Sequence, residues 1–131
     1  TSVLEDFLTE TKNLTLLDIG CSSGIMTFEY AKKFKKIIAI DIDKQAINYA
    51  KINKSQNNIE YIVSPIEELN LKESSIDVIT CSHIYEHVPS DVNLMNQIFR
   101  LLNLSVSLRF PVTKDLGHAQ QKGKLCFRGL G

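Results

Sequence analysis

The sequence predicts an α/β domain built on an open, doubly wound, mostly parallel sheet with helices on both faces. Three observations lead there. Short apolar runs of strand length alternate with stretches of helical period. The connections between them are short and carry no tight hairpin signal. The first apolar run, Leu14 to Ile19, passes through the small residues Gly20-Cys21-Ser22-Ser23-Gly24 directly into a helical pattern.

Each element follows from its own residues. Residues 2–10 suggest a short amphipathic helix with Leu4, Phe7 and Leu8 on one side. Leu14 to Ile19 reads as a buried strand, too short for a helix of its own. Gly20 to Gly24 is the turn, where glycine tolerates positive φ and lets backbone approach a ligand. A helix starting near Ser23 carries Ile25, Phe28, Ala31 and Phe34 at near-helical spacing. Lys32, Lys33, Lys35 and Lys36 gather towards its end, where cations suit the helix dipole. Ile37-Ile38-Ala39-Ile40 is the continuous apolar run of a parallel strand covered on both faces, and Asp41 ends it. Asp43 is an N-cap for a helix turning Ala46, Ile47 and Ala50 inward. Ile59 to Val63 is a third strand, halted by Ser64-Pro65. A loop with Glu67, Glu68 and Leu69 leads to a fourth strand, Ile76 to Cys81. Ser90 caps a periodic helix whose Val92, Met95, Ile98, Phe99 and Leu102 face the core. Leu104 to Phe110 is a candidate fifth strand closed by Pro111.

At 131 residues the chain holds one domain, able to bury roughly two-thirds of its unfolded surface. Its formal charge is zero, so no global field favours nucleic acid or an anionic membrane. No apolar stretch reaches the roughly 20 residues of a bilayer span. The N-terminus shows no basic-then-apolar secretory pattern, which makes a cytoplasmic location the expectation. Cys21, Cys81 and Cys126 have neither disulfide-framework nor zinc spacing and read as reduced thiols. Residues 1–102 carry 10 Lys/Arg against 14 Asp/Glu, whereas residues 103–131 carry five against one. Residues 111–131 also show no helical or strand period, which gives a domain at 1–110 and an irregular or disordered tail at 111–131.

In doubly wound sheets a ligand sits beyond the carboxyl ends of the strands, where strand order reverses. The residues at those ends are Gly20 to Gly24, Asp41, Ser64 to Ile66, and Cys81 to His87. Asp41 lies 21 positions after Gly20, matching the roughly 20-residue offset of an acid that accepts from ribose hydroxyls. The pair points to an adenosine-containing ligand. The plainer alternative is that the glycines only make a turn and Asp41 only caps the next element. A dinucleotide fits poorly, because its fingerprint needs Gly or Ala at the sixth position and Ile25 stands there.

Leu16-Leu17-Asp18-Ile19-Gly20-Cys21-Ser22-Ser23-Gly24, then Ile40-Asp41-Ile42-Asp43, Ser75-Ile76-Asp77-Val78-Ile79 and Ile84-Tyr85-Glu86-His87-Val88 together resemble the class I S-adenosylmethionine-dependent methyltransferases. The likeness covers residues 14–102 and is nearest the broad small-molecule branch, with its Rossmann-like fold. It implies S-adenosylmethionine as cofactor and a small-molecule acceptor. It implies that Gly20, Ser22 and Gly24 back onto the methionine end, that Asp18 helps hold the ammonium group, and that Asp41 takes both ribose hydroxyls. Backbone around Ile66 would meet the adenine edge. The full set of expected cofactor contacts is Asp18, Gly20, Cys21, Ser22, Gly24, Asp41, Ile42, Pro65, Ile66 and Cys81. Ser22 replaces the family's middle glycine, and Pro65 stands where the family often has an acid for the adenine amino group.

Chemistry supports the same reading. A sulfonium ligand carries no phosphate, and no basic residue occurs between Leu14 and Ala31. Methyl transfer needs positioning and exclusion of water, with a base only for a poor nucleophile. His87 is the candidate catalytic base, set against a structural pocket-wall histidine; His83 and Glu86 are weaker candidates lining the acceptor side. Cys21 and Cys81 are expected near one another as packing residues, with no metal. Beyond Arg100-Leu101-Leu102 the family's turn glycines and final antiparallel hairpin are not recognisable, which suggests a truncated relative. A fifth strand left as a bare edge could then pair with another chain in self-association. Two functions stand: methyl transfer to a small molecule, or a non-catalytic or regulatory chain that binds S-adenosylmethionine. An NAD-dependent oxidoreductase is a distant third.

Overall fold

A computed structural model describes residues 11–82, 92–102, 110–111 and 124–128. The strands β1 (Thr15–Ile19), β2 (Lys36–Asp41), β3 (Ile59–Val63), β4 (Val78–Ser82), β5 (Phe110–Pro111) and β6 (Lys124–Arg128) form one sheet, ordered β3-β2-β1-β4-β6-β5. β1, β2, β3 and β4 run parallel, with Leu16 beside Ile37 and Val78, and Leu17 beside Ile38 and Ile79. Helices α1 (Ile25–Tyr30), α2 (Lys44–Asn53) and α3 (Val92–Leu101) complete the described elements, with a 3-10 turn at Ile66–Glu68. The doubly wound architecture expected from the alternating pattern is the one found.

β1, β2 and β4 are largely apolar on both sides because both sides are covered, whereas the outer strand β3 exposes Glu60 and Val63. One face packs Leu16, Ile37, Ala39 and Val78 against Tyr30, Phe34, Ile47 and Ala50. The other packs Leu17, Ile38, Ile40 and Ile79 against Ile66, Ile98, Leu101 and Phe127. Burying each such aliphatic side chain stabilises by about 1.5–3 kcal/mol. Asp43 caps α2 as its position suggests, its side chain accepting from Gln45 N at 3.0 Å and Ala46 N at 3.2 Å.

Several elements differ in detail. α1 ends at Tyr30; Lys32 and Lys33 follow it in a turn that delivers Phe34 to the core and Lys35 N to the Leu14 carbonyl, and Lys36 opens β2. Its buried residues are Thr27 and Tyr30, while Ile25 is 63% exposed. A helix of under two turns has too short a face to enforce the longer apolar spacing. Ile76 precedes β4 and bridges Leu102 instead. Of the residues expected to face the core from α3 and its end, Ile98 and Leu102 are buried and Met95 and Phe99 pack against them, while Val92 is 68% exposed and Leu101 is buried in addition. The proposed helix at 2–10, the Ser90 cap and most of Leu104 to Phe110 lie outside the described residues.

The tail departs most. Residues 124–128 form β6, antiparallel to β4, and β5 pairs antiparallel to β6. The expected irregular tail is therefore corrected over that stretch: Phe127 is fully buried on the α3 face, and β6 covers the outer edge of β4. The described end of the predicted fifth strand is a two-residue piece, Phe110–Pro111, antiparallel to β6.

Candidate functional site

Strand order reverses at β1, which lies between β2 and β4, and the residues just beyond β1, β2 and β3 converge there. Gly20, at φ +75°, turns the chain out of β1, and Ser22 (φ +53°) and Gly24 (φ +85°) also occupy the left-handed region. Gly20 N and Cys21 N both donate to the Ile40 carbonyl, at 2.9 and 3.0 Å, tying this turn to the end of β2.

Asp41 joins the converging segments. Its Oδ2 accepts from Ser22 N at 2.8 Å and its Oδ1 from Asp43 N at 2.9 Å. Its carbonyl accepts from Ser64 N at 3.0 Å, just past β3. Each carboxylate oxygen keeps a further lone pair for an incoming donor. Beside it opens a cavity of about 400 Å³ lined by Ile19, Gly20, Ser22, Ile40, Asp41, Ile42, Ser64, Pro65 and Ile66. Asp41 is the ionisable group of that lining; the other described lining residues are apolar or small.

Six of the predicted contacts, Gly20, Ser22, Asp41, Ile42, Pro65 and Ile66, come together around this cavity. Asp18, Cys21, Gly24 and Cys81 do not line it. Asp18 is 1% exposed, with Oδ2 accepting from the Thr27 hydroxyl and Oδ1 from the Thr80 hydroxyl, both at 2.8 Å. Gly24 faces away from the cavity. A Cβ there would meet the Tyr61 hydroxyl at 2.7 Å and the Cβ atoms of Ala50 and Lys54 at 3.1 and 3.2 Å. Cys21 and Cys81 are both buried, at the ends of the adjacent strands β1 and β4, and they pack in different cores. His87, His83 and Glu86 lie outside the described residues. Among the described residues no cluster of His, Cys, Asp and Glu is arranged to hold a metal. None of their helices is long and apolar enough to cross a membrane.

The electrostatics are one-signed. Burial first, then the charges of Asp18 and Asp41, pushes the Cys21 thiol far above its ordinary range. Burial, with Cys21 and Asp18 adding to it, pushes Tyr61 up to about 12. The carboxylate of Asp41, the ionisable group of the cavity lining, favours a ligand that brings hydrogen-bond donors or positive charge. Ile19 and Ile40 were missed as lining residues; their signal was their position at strand ends. Thr27 and Thr80 were missed as partners of Asp18, although a lone threonine between Ile79 and Cys81 is a polar residue in an apolar run.

The family description "Methyltransferase domain" matches residues 17–108. A ubiquinone biosynthesis O-methyltransferase from Acinetobacter baylyi is 32% identical over 84 residues, which are 61% of this chain and 35% of that protein. The enzyme of the same name from Hahella chejuensis is 30% identical over 111 residues, 80% of this chain and 47% of its own. The chain thus spans less than half the length of these curated relatives. In fold it is similar to an S-adenosylmethionine-dependent methyltransferase from Mesorhizobium loti, with TM-score 0.64 and 22% identity, covering 76% of this chain and 46% of that one. It is also similar to a Haemonchus contortus phosphoethanolamine N-methyltransferase in complex with phosphoethanolamine and S-adenosylhomocysteine, with TM-score 0.66 and 19% identity, covering 78% of this chain and 22% of that one. With the motif-bearing strand ends in place and the match running over residues 17–108, the chain belongs to the methyltransferase-domain family.

Proposed function

We propose that this chain binds S-adenosylmethionine in the cavity at the ends of β1, β2 and β3 and transfers its methyl group to a small-molecule acceptor. The observation that carries the reading is the Asp41 carboxylate, fixed by two backbone N–H groups with lone pairs left over at the mouth of a cavity without a described base. The residues fit the cofactor. Gly20 presents backbone without a side chain for close approach, Asp41 suits paired hydroxyls, and Ile42 with Ile66 offers an apolar bed for a flat ring. When bound, S-adenosylmethionine supplies an electrophilic methyl group on sulfur for in-line displacement by the acceptor.

The chain's own residues hold and orient. Asp41 fixes the ribose, and because it also anchors Ser22 N it sets the turn and the sugar in one register. Asp18 ties β1 to Thr80 of β4 and Thr27 of α1, steadying the turn from beneath. The names of the curated relatives support an oxygen acceptor. For such an acceptor His87, following β4, is the proposed base. Binding without turnover is the second reading, and methyl release in a coupled assay separates it from the first.

Calorimetry with S-adenosylhomocysteine tests the site. Asp41→Ala removes charge-assisted hydrogen bonds and weakens binding by about 1.5–3 kcal/mol. Unchanged affinity removes Asp41 from the site, and tighter binding of NAD than of S-adenosylhomocysteine rejects the cofactor.

A further inference from the structure

We infer that the outer edge of β3 is a self-association surface, on which a second copy of this chain docks its own β3 antiparallel about a two-fold axis at Tyr61. β3 is an end strand of the sheet, with β2 on its inner side.

In a parallel ladder alternate residues of an end strand bond to the neighbour, and those between them face outwards. In β3 the even-numbered residues face β2. The Asn58 carbonyl accepts from Ile37 N at 2.8 Å, and just past the strand Ser64 N donates to the Asp41 carbonyl at 3.0 Å. The backbone groups of Ile59, Tyr61 and Val63 therefore point away from the sheet. Ile59 N donates to the Gln56 carbonyl at 3.1 Å, which leaves the Ile59 carbonyl and both groups of Tyr61 and Val63 along the edge. This row is complementary to itself. With Tyr61 opposite Tyr61, each Tyr61 N donates to the other copy's Tyr61 carbonyl, and each Val63 N donates to the Ile59 carbonyl across the axis. Side chains then pair in the same register: Val63, 44% exposed, meets Ile59 of the second copy, and Ile62 meets Glu60. Edge strands commonly discourage such pairing with Lys or Pro, and Ile59 to Val63 contains neither.

Charge selects the same occupant and the same direction. Beside the start of β3 lies a cavity of about 480 Å³ lined by Lys35, Lys36, Asn57, Asn58, Ile59 and Glu60. Beyond the other end of the strand, Ser64-Pro65 leads into the 3-10 turn, where Glu67 and Glu68 are exposed. Antiparallel pairing brings the lysine-bearing end of each copy alongside the glutamate-bearing end of the other, and the two-fold axis repeats the match. A parallel arrangement would set like charges together.

The test is sedimentation equilibrium of the 131-residue chain at concentrations up to about 1 mM, where the data are expected to fit a monomer–dimer equilibrium. Val63→Pro deletes an outward-facing N–H and spares the ladder to β2, a position at which an edge strand accepts proline. The variant should keep its circular dichroism and associate about tenfold or more weakly, since both symmetric copies of that hydrogen bond are lost. Should it fail to fold, exchanging the charges decides. Glu67→Lys with Glu68→Lys should weaken association, and adding Lys35→Glu with Lys36→Glu to the same chain should restore it. A chain that stays monomeric throughout, or one that builds open-ended assemblies, overturns the inference. So does a dimer indifferent to a folded Val63→Pro, or a charge-exchanged chain that associates no better than the Glu67→Lys, Glu68→Lys variant.

Discussion

Replacing Gly24 by alanine separates what this glycine does for the fold from what it does for a ligand. Its φ of +85° places an L residue in the left-handed region, at roughly 1–2 kcal/mol. The added Cβ would also stand 2.7 Å from the Tyr61 hydroxyl, 3.1 Å from Ala50 Cβ and 3.2 Å from Lys54 Cβ. Forced repacking of that kind adds about 1–3 kcal/mol. The hydroxyl cannot simply swing aside, because Tyr61 is buried on β3 and donates to the Lys54 carbonyl at 2.7 Å. Gly24→Ala should therefore destabilise by about 2–5 kcal/mol, read as a lower urea midpoint at unchanged slope. Tyr61→Phe loses one hydrogen bond but removes the nearest obstructing atom, so the double variant should lose about 1 kcal/mol less than the sum of the singles. A Gly24→Ala chain within about 0.5 kcal/mol of the parent, or a strictly additive cycle, refutes the packing argument. Since Gly24 faces away from the cavity, the folded fraction should keep its ligand affinity.

Two further predictions concern the groups beneath the site. Asp18→Ala leaves the Thr27 and Thr80 hydroxyls, 0% and 2% exposed, without their acceptor. At about 1–3 kcal/mol for each buried unsatisfied group, a loss below about 1 kcal/mol in urea unfolding would show that the carboxylate is not the anchor of that network. The alkaline limb of stability is the other. Tyr61 gives up its proton near pH 10.0 when unfolded but near about 12 when folded. Between those values the native state binds more protons, so stability is full below the lower one and falls as pH rises through the window. Tyr61→Phe should flatten that fall, and an identical decline in the variant refutes the assignment.

Much of this site was legible because its determinants are local. An apolar run ending in Asp18-Ile19-Gly20 and another ending in Ile40-Asp41 each declare a strand and its ligand-facing end, and parallel register then places the two tips side by side. Six contacts expected at those tips do meet around one cavity. Side-chain direction was not legible. Asp18 and Gly24 lie within the same motif as Gly20 and Ser22, yet one points into the sheet and the other towards α2, because strand alternation and left-handed backbone turn successive residues different ways. Cys81 stays with its register partner Ile19 in the core on the α3 side, whereas the left-handed turn at Gly20 carries Cys21 into the other core. β6 was missed because Lys124 to Arg128 is too short to show a period, and its partner β4 lies more than 40 residues earlier in the sequence (from Ser82 to Lys124). Only tertiary pairing, with Phe127 buried against the α3 side, declares it.

The three left-handed residues explain why Asp41 can serve fold and ligand together. A peptide N–H leaving β1 would ordinarily continue the ladder towards β2. Positive φ at Gly20, Ser22 and Gly24 instead curls the chain so that Gly20 N and Cys21 N converge on the Ile40 carbonyl while Ser22 N reaches the next residue's carboxylate. Serine at position 22 accepts a conformation that glycine would adopt freely, and the charge-assisted bond to Asp41 offsets that strain by about 1.5–3 kcal/mol. The turn is thus held shut by the same carboxylate proposed to grip the sugar. Occupation of the remaining lone pairs by a ribose would leave the Ser22 and Asp43 bonds in place, so binding asks for no rearrangement of the turn. A site pre-organised in this way loses affinity by losing Asp41, and it loses shape by the same change.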